Sequence, residues 1–503
     1  MLRRLAVAFL ACAVLLAGLW IAARAVLGSD LVRRSLEQQL AARTGEPVRI
    51  ASARAELFPR VTLALHDVVI GDPPAVRLGT VRIVTGLRPL FSRTIDEAEV
   101  VVSDSRLSLP LPVAIMQAAS APDEQPSDSS FTIASIRRLA FQDVTLIAGD
   151  GALTLDMESS VRGDRLDISS LVLRSPGTRI EASGALTSLA RMEGELDARA
   201  DPLDVAGLIG ITGSMRSAQA PPGPAATVHA APLRIVLNLQ APTAAFGTYA
   251  ITDIATTIHL APDRVRMDPL SLHTAGGAFH GRLDLLREGS PSALRLTGDM
   301  KGLDVVELMK HSGAPGGLTG RLGGSVSLTG QAAAPDALLH SARGTIRASI
   351  TDGTLPGLNL VRPIVLAFGR PSGAPPEGSG ASFSTLGGTF ALVDGRLASD
   401  DLAMASRDFD VSGHGALNLI TGAVAAAVDV VLSKELSDQA GTDLRRHADQ
   451  EGRVTVPATI GGTLQRATVS LDVAAAARRA IGNQLRRRTK SLLEDLLGPP
   501  RQR

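Results

Sequence analysis

The stretch Arg396–Leu417, RLASDDLAMASRDFDVSGHGAL, decides the fold class. Apolar and polar residues alternate, the alternation breaks at Ser406–Asp408, and it resumes to end on glycines. A period of two sends successive side chains to opposite faces of a strand, so the stretch reads as strand, turn, strand with one aliphatic face. The pattern occurs twice more, as RLDISSLVLRSPGTRIEASGAL from Arg165 and RVRMDPLSLHTAGGAFHGRLDL from Arg264. Leu171, Leu270 and Leu402 coincide in the copies, as do Ser175, Thr274 and Ser406, then Ile180, Phe279 and Val411. Gly184 matches Gly415, but Gly281 falls early, which makes this a repeated hairpin style and not a strict period.

Outward from these copies, residues 61–473 are mostly short alternating runs, among them TVRIVTGL, LRIVLNL, GSVSLTG and GTFALVDGRL, separated by Gly, Asp, Asn and Pro. Strand-period runs without long intervening helices predict a mainly β chain of antiparallel meanders. About 25 strands stacked at about 4.8 Å would extend on the order of 120 Å. Short helical patterns occur at LDVAGLIG and LDVVELMK.

Two ends differ from this text. Leu5–Ala23 is an uncharged apolar run after Arg3 and Arg4. As a helix it would be about 28 Å long, close to the hydrocarbon thickness of a bilayer, and the arginines place its start on the cytoplasmic side. Ala23-Arg24-Ala25 also fits a signal-cleavage site, so cleavage is the alternative. At the other end Ile481, Leu485, Leu492 and Leu496 form an apolar stripe beside Arg478, Arg479, Arg486, Arg487, Arg488 and Lys490. A basic amphipathic helix of this kind suits anionic headgroups or a partner, and equally suits capping of the last sheet edge.

Composition breaks divide the 503 residues. The expected order is an anchor (1–28), a helix-plus-β module (29–116), a linker (117–130), a β module (131–215) and a second linker (216–232). Two further β modules (233–310 and 311–369), a flexible loop (370–381), a last β module (382–473) and the basic tail (474–503) follow.

Enzyme chemistry finds little here. A net charge of +1 gives no global field for nucleic acid, and a single cysteine, Cys12, rules out an internal disulfide or a cysteine zinc site. Lys301, Lys310, Lys434 and Lys490 do not follow glycine, so no P-loop lysine exists, and HExxH and GxSxG are missing. His414 reads as a solvent-facing strand or turn residue, and Asp400-Asp401 as a solvated turn pair. The expectation is a non-enzyme with no cofactor and no metal.

The order of phrases resembles the AsmA family of bacterial envelope proteins. The resemblance rests on the charged start, the apolar run, AARTGEPVRI, FPRVTLALHDVVIGDPP and GLRPLFSRTIDEAEVVVSDSRLSL. It continues in GTIRASITDGTLPGLNLVRPI and FSTLGGTFALVDGRLASDDLAMASRDFDVSGHGALNLITG. It covers 1–110 and 340–497 phrase by phrase, and the middle in style. What the resemblance implies is an inner-membrane anchored, periplasmic protein whose elongated, curved sheet folds into a taco-like groove related to chorein-type lipid-bridging proteins. The implied role is phospholipid binding or transfer in outer-membrane biogenesis, with membrane lipid and an outer-membrane or periplasmic protein as partners. The alternative is a scaffold for outer-membrane protein or lipopolysaccharide assembly that carries no lipid. Under the first reading the candidate lining residues are Val61, Leu63, Leu65, Leu171, Leu173, Leu270, Leu272, Leu402 and Met404. For any one of them, packing in an ordinary core is the competing role.

Overall fold

A computed structural model describes residues 29–472, with Ala475 and Arg478, except for 57–59, 73–74, 87–93, 110–131, 134, 149–150, 209–232, 287–292, 311–314, 332–334, 361–379, 440–447 and 450. The anchor, both linkers, nearly all of loop 370–381, and Arg479, Arg486, Arg487, Arg488 and Lys490 lie outside the described residues. Among the described residues, no helix is long and apolar enough to cross a membrane.

Strands dominate the chain, which divides into two compact units, Met1–Asp268 and Pro269–Arg503. The first begins with helix Ser29–Thr44, ended by Gly45 at φ +66°, followed by strands Val48–Glu56, Val61–Ile70, Val76–Thr85 and Ala98–Leu109. Helix side chains guard the outer edge of Val48–Glu56: the Ile50 N–H donates to Glu37 Oε1 (2.9 Å) and Arg33 Nη1 donates to the Ile50 carbonyl (3.4 Å). The main-chain groups of Ile50 are thereby taken from any further strand.

Among the described residues, the expected antiparallel order holds for most neighbours and fails at four pairings, of which the two short ones are Thr94–Ile95 with Thr132–Ile133 and Leu203–Asp204 with Arg234–Phe246. Ala98–Leu109 pairs parallel with Ser135–Ala148, and Glu193–Ala200 pairs parallel with Arg234–Phe246. Parallel neighbours need a crossover of a dozen or more residues, and these joins fall where the sequence was expected to place linkers. The chain length between the strands serves topology.

Three aspartates inside strands take a left-handed backbone. Asp67, Asp104 and Asp143 all have φ between +51° and +53°. Register sets Asp67 against Gly79 and Asp104 beside Asp143, so two left-handed aspartates lie side by side on neighbouring strands. Aspartate tolerates this region better than most residues, and such bulges bend and twist a sheet. Asp156 Oδ1 accepts the freed Asp143 N–H at 2.8 Å, and Arg174 pairs with its other oxygen. These two donors, the backbone one first, hold the Asp156 carboxyl below its ordinary value. A depressed carboxylate contributes stability above its unfolded pKa and loses it as pH falls through the folded one. Asp156→Asn is therefore expected to lower Tm at pH 7 by about 2 °C and to flatten the fall in Tm on acidification, measured by circular dichroism melts from pH 7 to 3.

In the second unit the helical pattern LDVVELMK forms helix Val305–Met309, and Asp304 caps it, its carboxylate accepting from Val306 and Glu307 N–H. The described outer strand, Arg466–Leu471, is covered at its start, where Ala467 N–H donates to the Gly357 carbonyl at 3.2 Å. Two of the hairpin copies form as antiparallel strand pairs about short turns, Arg165–Ser175 with Thr178–Ser188 and Arg396–Ala405 with Phe409–Asn418, and the remaining copy forms the strands Arg264–Thr274 and Gly277–Leu286 about a two-residue turn. Positive φ at Ala275 and Gly276 suits the tight second turn, whereas Ser406 Oγ accepts from Asp408 and Phe409 N–H in the third.

Candidate functional site

Cross-strand register assembles one apolar face in the first unit. Directly opposed partners run Ala53, Leu65, Val81, Val102, Phe141, Met157, Leu171, Ala182, Ala198 and Leu239, one from each successive strand. Opposed residues in a ladder project to the same side, so these side chains form a single row. The other side is polar, with Arg174–Asp156, Arg138–Glu158 and Arg179–Glu181 ion pairs.

The row is not uniformly covered. Leu65, Val81, Val102 and Phe141 are buried in a core that also contains Leu36 and Leu40 of the first helix. From Met157 onward the cover thins: Leu155, Met157, Leu171, Leu173, Leu196, Leu237 and Leu239 keep part of their surface in solvent.

The second unit repeats the arrangement. Leu322, Ile350, Leu386, Met404, Val411, Val430 and Val456 oppose one another in turn. Here the first three are partly exposed and the last four buried, joined in their core by Leu358 and Leu360. Leu358 and Leu360 belong to LPGLNL, so that phrase works as a plug. A parallel row through Leu283, Leu296 and Leu328 also stays partly exposed.

The nine predicted lining residues separate accordingly. Val61, Leu63 and Leu65 are 1%, 2% and 0% exposed and lie in the first core; Leu270 and Met404 are buried as well. Leu171, Leu173, Leu272 and Leu402 are partly exposed. Sequence reading missed Leu237, Leu239, Leu296 and Leu328 as lining, although LRIVLNL and GSVSLTG carry the same alternation. Of the basic tail residues, Arg478 is described and exposed. His414 is an exposed strand residue. Asp400 and Asp401 correct the expectation of a turn: they lie within Arg396–Ala405, where Asp401 Oδ1 accepts the Thr389 N–H (2.6 Å) and the Ser399 hydroxyl (2.9 Å). Both donors, the backbone one first, lower the Asp401 pKa, so its role is to close a bulge. Among the described residues no group of three or more His, Cys, Asp or Glu is arranged to hold a metal ion.

The family model described as the AsmA family matches residues 242–402. The chain carries an AsmA-family segment there. That AsmA segment runs from Pro242, within strand Arg234–Phe246, to Leu402, within strand Arg396–Ala405. It therefore takes in the partly exposed rows of the second unit, from Leu283 to Leu386. It lies largely in the middle of the chain, where the quoted phrases resembled the family in style, and enters the later resemblance from 340 onward. No curated protein and no solved structure matches the chain.

Proposed function

We propose that the partly exposed aliphatic face of each unit binds phospholipid acyl chains, and that the protein, anchored in the inner membrane through Leu5–Ala23, carries or holds lipid in the periplasm during outer-membrane biogenesis. The observation that supports this is the gradient along a single register-defined row, from sealed core to open aliphatic surface. A fully buried leucine or valine is worth about 1.5–3 kcal/mol. A row of such side chains left partly in water gains by covering the remainder, and a hydrocarbon tail does so without needing hydrogen bonds. Leu171, Leu173, Leu239, Leu272, Leu328 and Leu402 make the lining, while Val61, Leu63 and Leu65 form the packed base that holds it in place.

Adjacent strand residues provide the test, because they face opposite sides. A photocrosslinking amino acid at Leu239 or Leu328 in the full chain in cells is expected to yield phospholipid adducts by mass spectrometry, and the same group at Gln240 or Thr329 is not. Absence of adducts from both apolar positions, with the protein folded and abundant, would favour a scaffold that carries no lipid.

A further inference from the structure

The row through Leu171 and Leu239 continues one strand further, and there it meets a hydroxyl. In strand Tyr249–Leu260 the residue opposed to Leu239 is Thr256, so its side chain stands on the aliphatic side. Ile254 and Ile258 flank it on that side; both are buried, and they oppose Ala241 and Leu237. Thr256 itself is 7% exposed, and its Oγ1 is buried without a hydrogen-bond partner among the described residues. The next residue shows the contrast. Thr257 faces the polar side, where its hydroxyl donates to Asn238 Oδ1 at 3.1 Å.

A buried hydroxyl left unpaired destabilises a fold, and valine has nearly the same shape without that penalty. Water is a poor remedy, because it needs about two to four polar partners and the opposed and flanking side chains are aliphatic. A carboxylate or phosphate would lose its hydration beside the same side chains with no cation among them to replace it. What suits the position is a neutral acceptor carried on a hydrocarbon body, and the ester carbonyl of a glycerolipid is such a group. Leu237 and Leu239, beside the hydroxyl, are partly exposed, so a ligand lying on them is within one side chain's depth of it. From Thr256 the row passes Leu239, Ala198 and Ala182 to Leu171, four ladder steps or about 19 Å. One lipid tail takes up about half of a roughly 30 Å hydrocarbon core, so a tail whose ester sits at Thr256 fits within this stretch.

We propose that the Thr256 hydroxyl donates to an ester carbonyl of the lipid held on this row and so fixes where along the row the lipid sits. This rests on the acyl-binding reading and adds to it a preference for ester-linked over ether-linked lipid. The test compares a diester phosphatidylethanolamine with the diether analogue of the same chains and headgroup, both bound to the purified full chain in detergent and measured by native mass spectrometry. Wild type should hold the diester about threefold to tenfold more tightly, the value of one hydrogen bond. Thr256→Val should lose that preference through weaker diester binding alone, while the lipid-free variant melts at a higher temperature. Thr256→Ser, which keeps a hydroxyl, should keep the preference. A gain in stability together with a loss of ester binding is a pair of opposite signs that damage to the fold would not produce. Equal binding of the two lipids by wild type, or an equal loss of both in Thr256→Val, would overturn the contact and leave the acyl-binding reading standing. Binding of neither lipid by wild type would overturn both.

Discussion

Leu65→Asp is expected to prevent the first unit from folding, whereas Leu171→Asp leaves it folded and removes bound lipid. The two residues belong to one row of opposed partners, separated by Val81, Val102, Phe141 and Met157. Leu65 is 0% exposed and Leu171 retains accessible surface, so the same charge meets different surroundings. A carboxylate forced into the core has no partner there, and its desolvation costs several kcal/mol on top of the lost leucine packing. That sum is comparable with the whole stability of a typical domain, about 5–15 kcal/mol. At Leu171 the carboxylate keeps much of its water, and the cost should stay near 1–2 kcal/mol, about the centre of the range for single substitutions. Soluble expression and thermal melts measure the first difference. Phospholipid adducts from a crosslinker at Leu239, in the Leu171→Asp background, measure the second. Leu65→Asp that folds normally would mean that the first core is not the base of this face, and Leu171→Asp with undiminished adducts would mean that Leu171 is no part of the lipid-binding surface.

The contrast also marks what was legible in the sequence. Alternation and turn residues specify the strands of the three copies and the aliphatic side of each strand, because both depend on local geometry with a period of two. Cover does not have a local signature. Val61 and Leu171 look alike in their own strands, yet Val61 packs in the core that contains Leu36 and Leu40, while Leu171 stays partly in water. Those contacts join distant parts of the chain. The aspartates show a different ambiguity: Asp tolerates the left-handed region in turns and in bulges alike, so alternation gives no sign of the left-handed positions at Asp67, Asp104 and Asp143 within their strands.

Two adjacent glycines in the second unit give the other large expected effect. Gly324→Ala should destabilise this unit by about 3 kcal/mol, through left-handed strain of about 1–3 kcal/mol and steric overlap of similar size. Gly323→Ala should be neutral or stabilising by about 0.5–1 kcal/mol, since alanine is the less entropically costly residue in a strand. Both lie in Arg321–Gln331 and differ in backbone and in surroundings. Gly324 has φ +139°, and a Cβ there would run into the Arg347 carbonyl oxygen of the next strand. At Gly323 the nearest atom to such a Cβ is the Met300 carbonyl oxygen, at an ordinary 3.6 Å. Gly324 stands between Met300 and Ala348 on the aliphatic side, so the close approach of backbones that it permits lies in the floor of the proposed lining. Chemical denaturation of the two variants separates the cases: equal losses would show that glycine serves here only as a small residue, and a loss confined to Gly324 would show that the floor of this face requires a backbone conformation that side-chain-bearing residues resist.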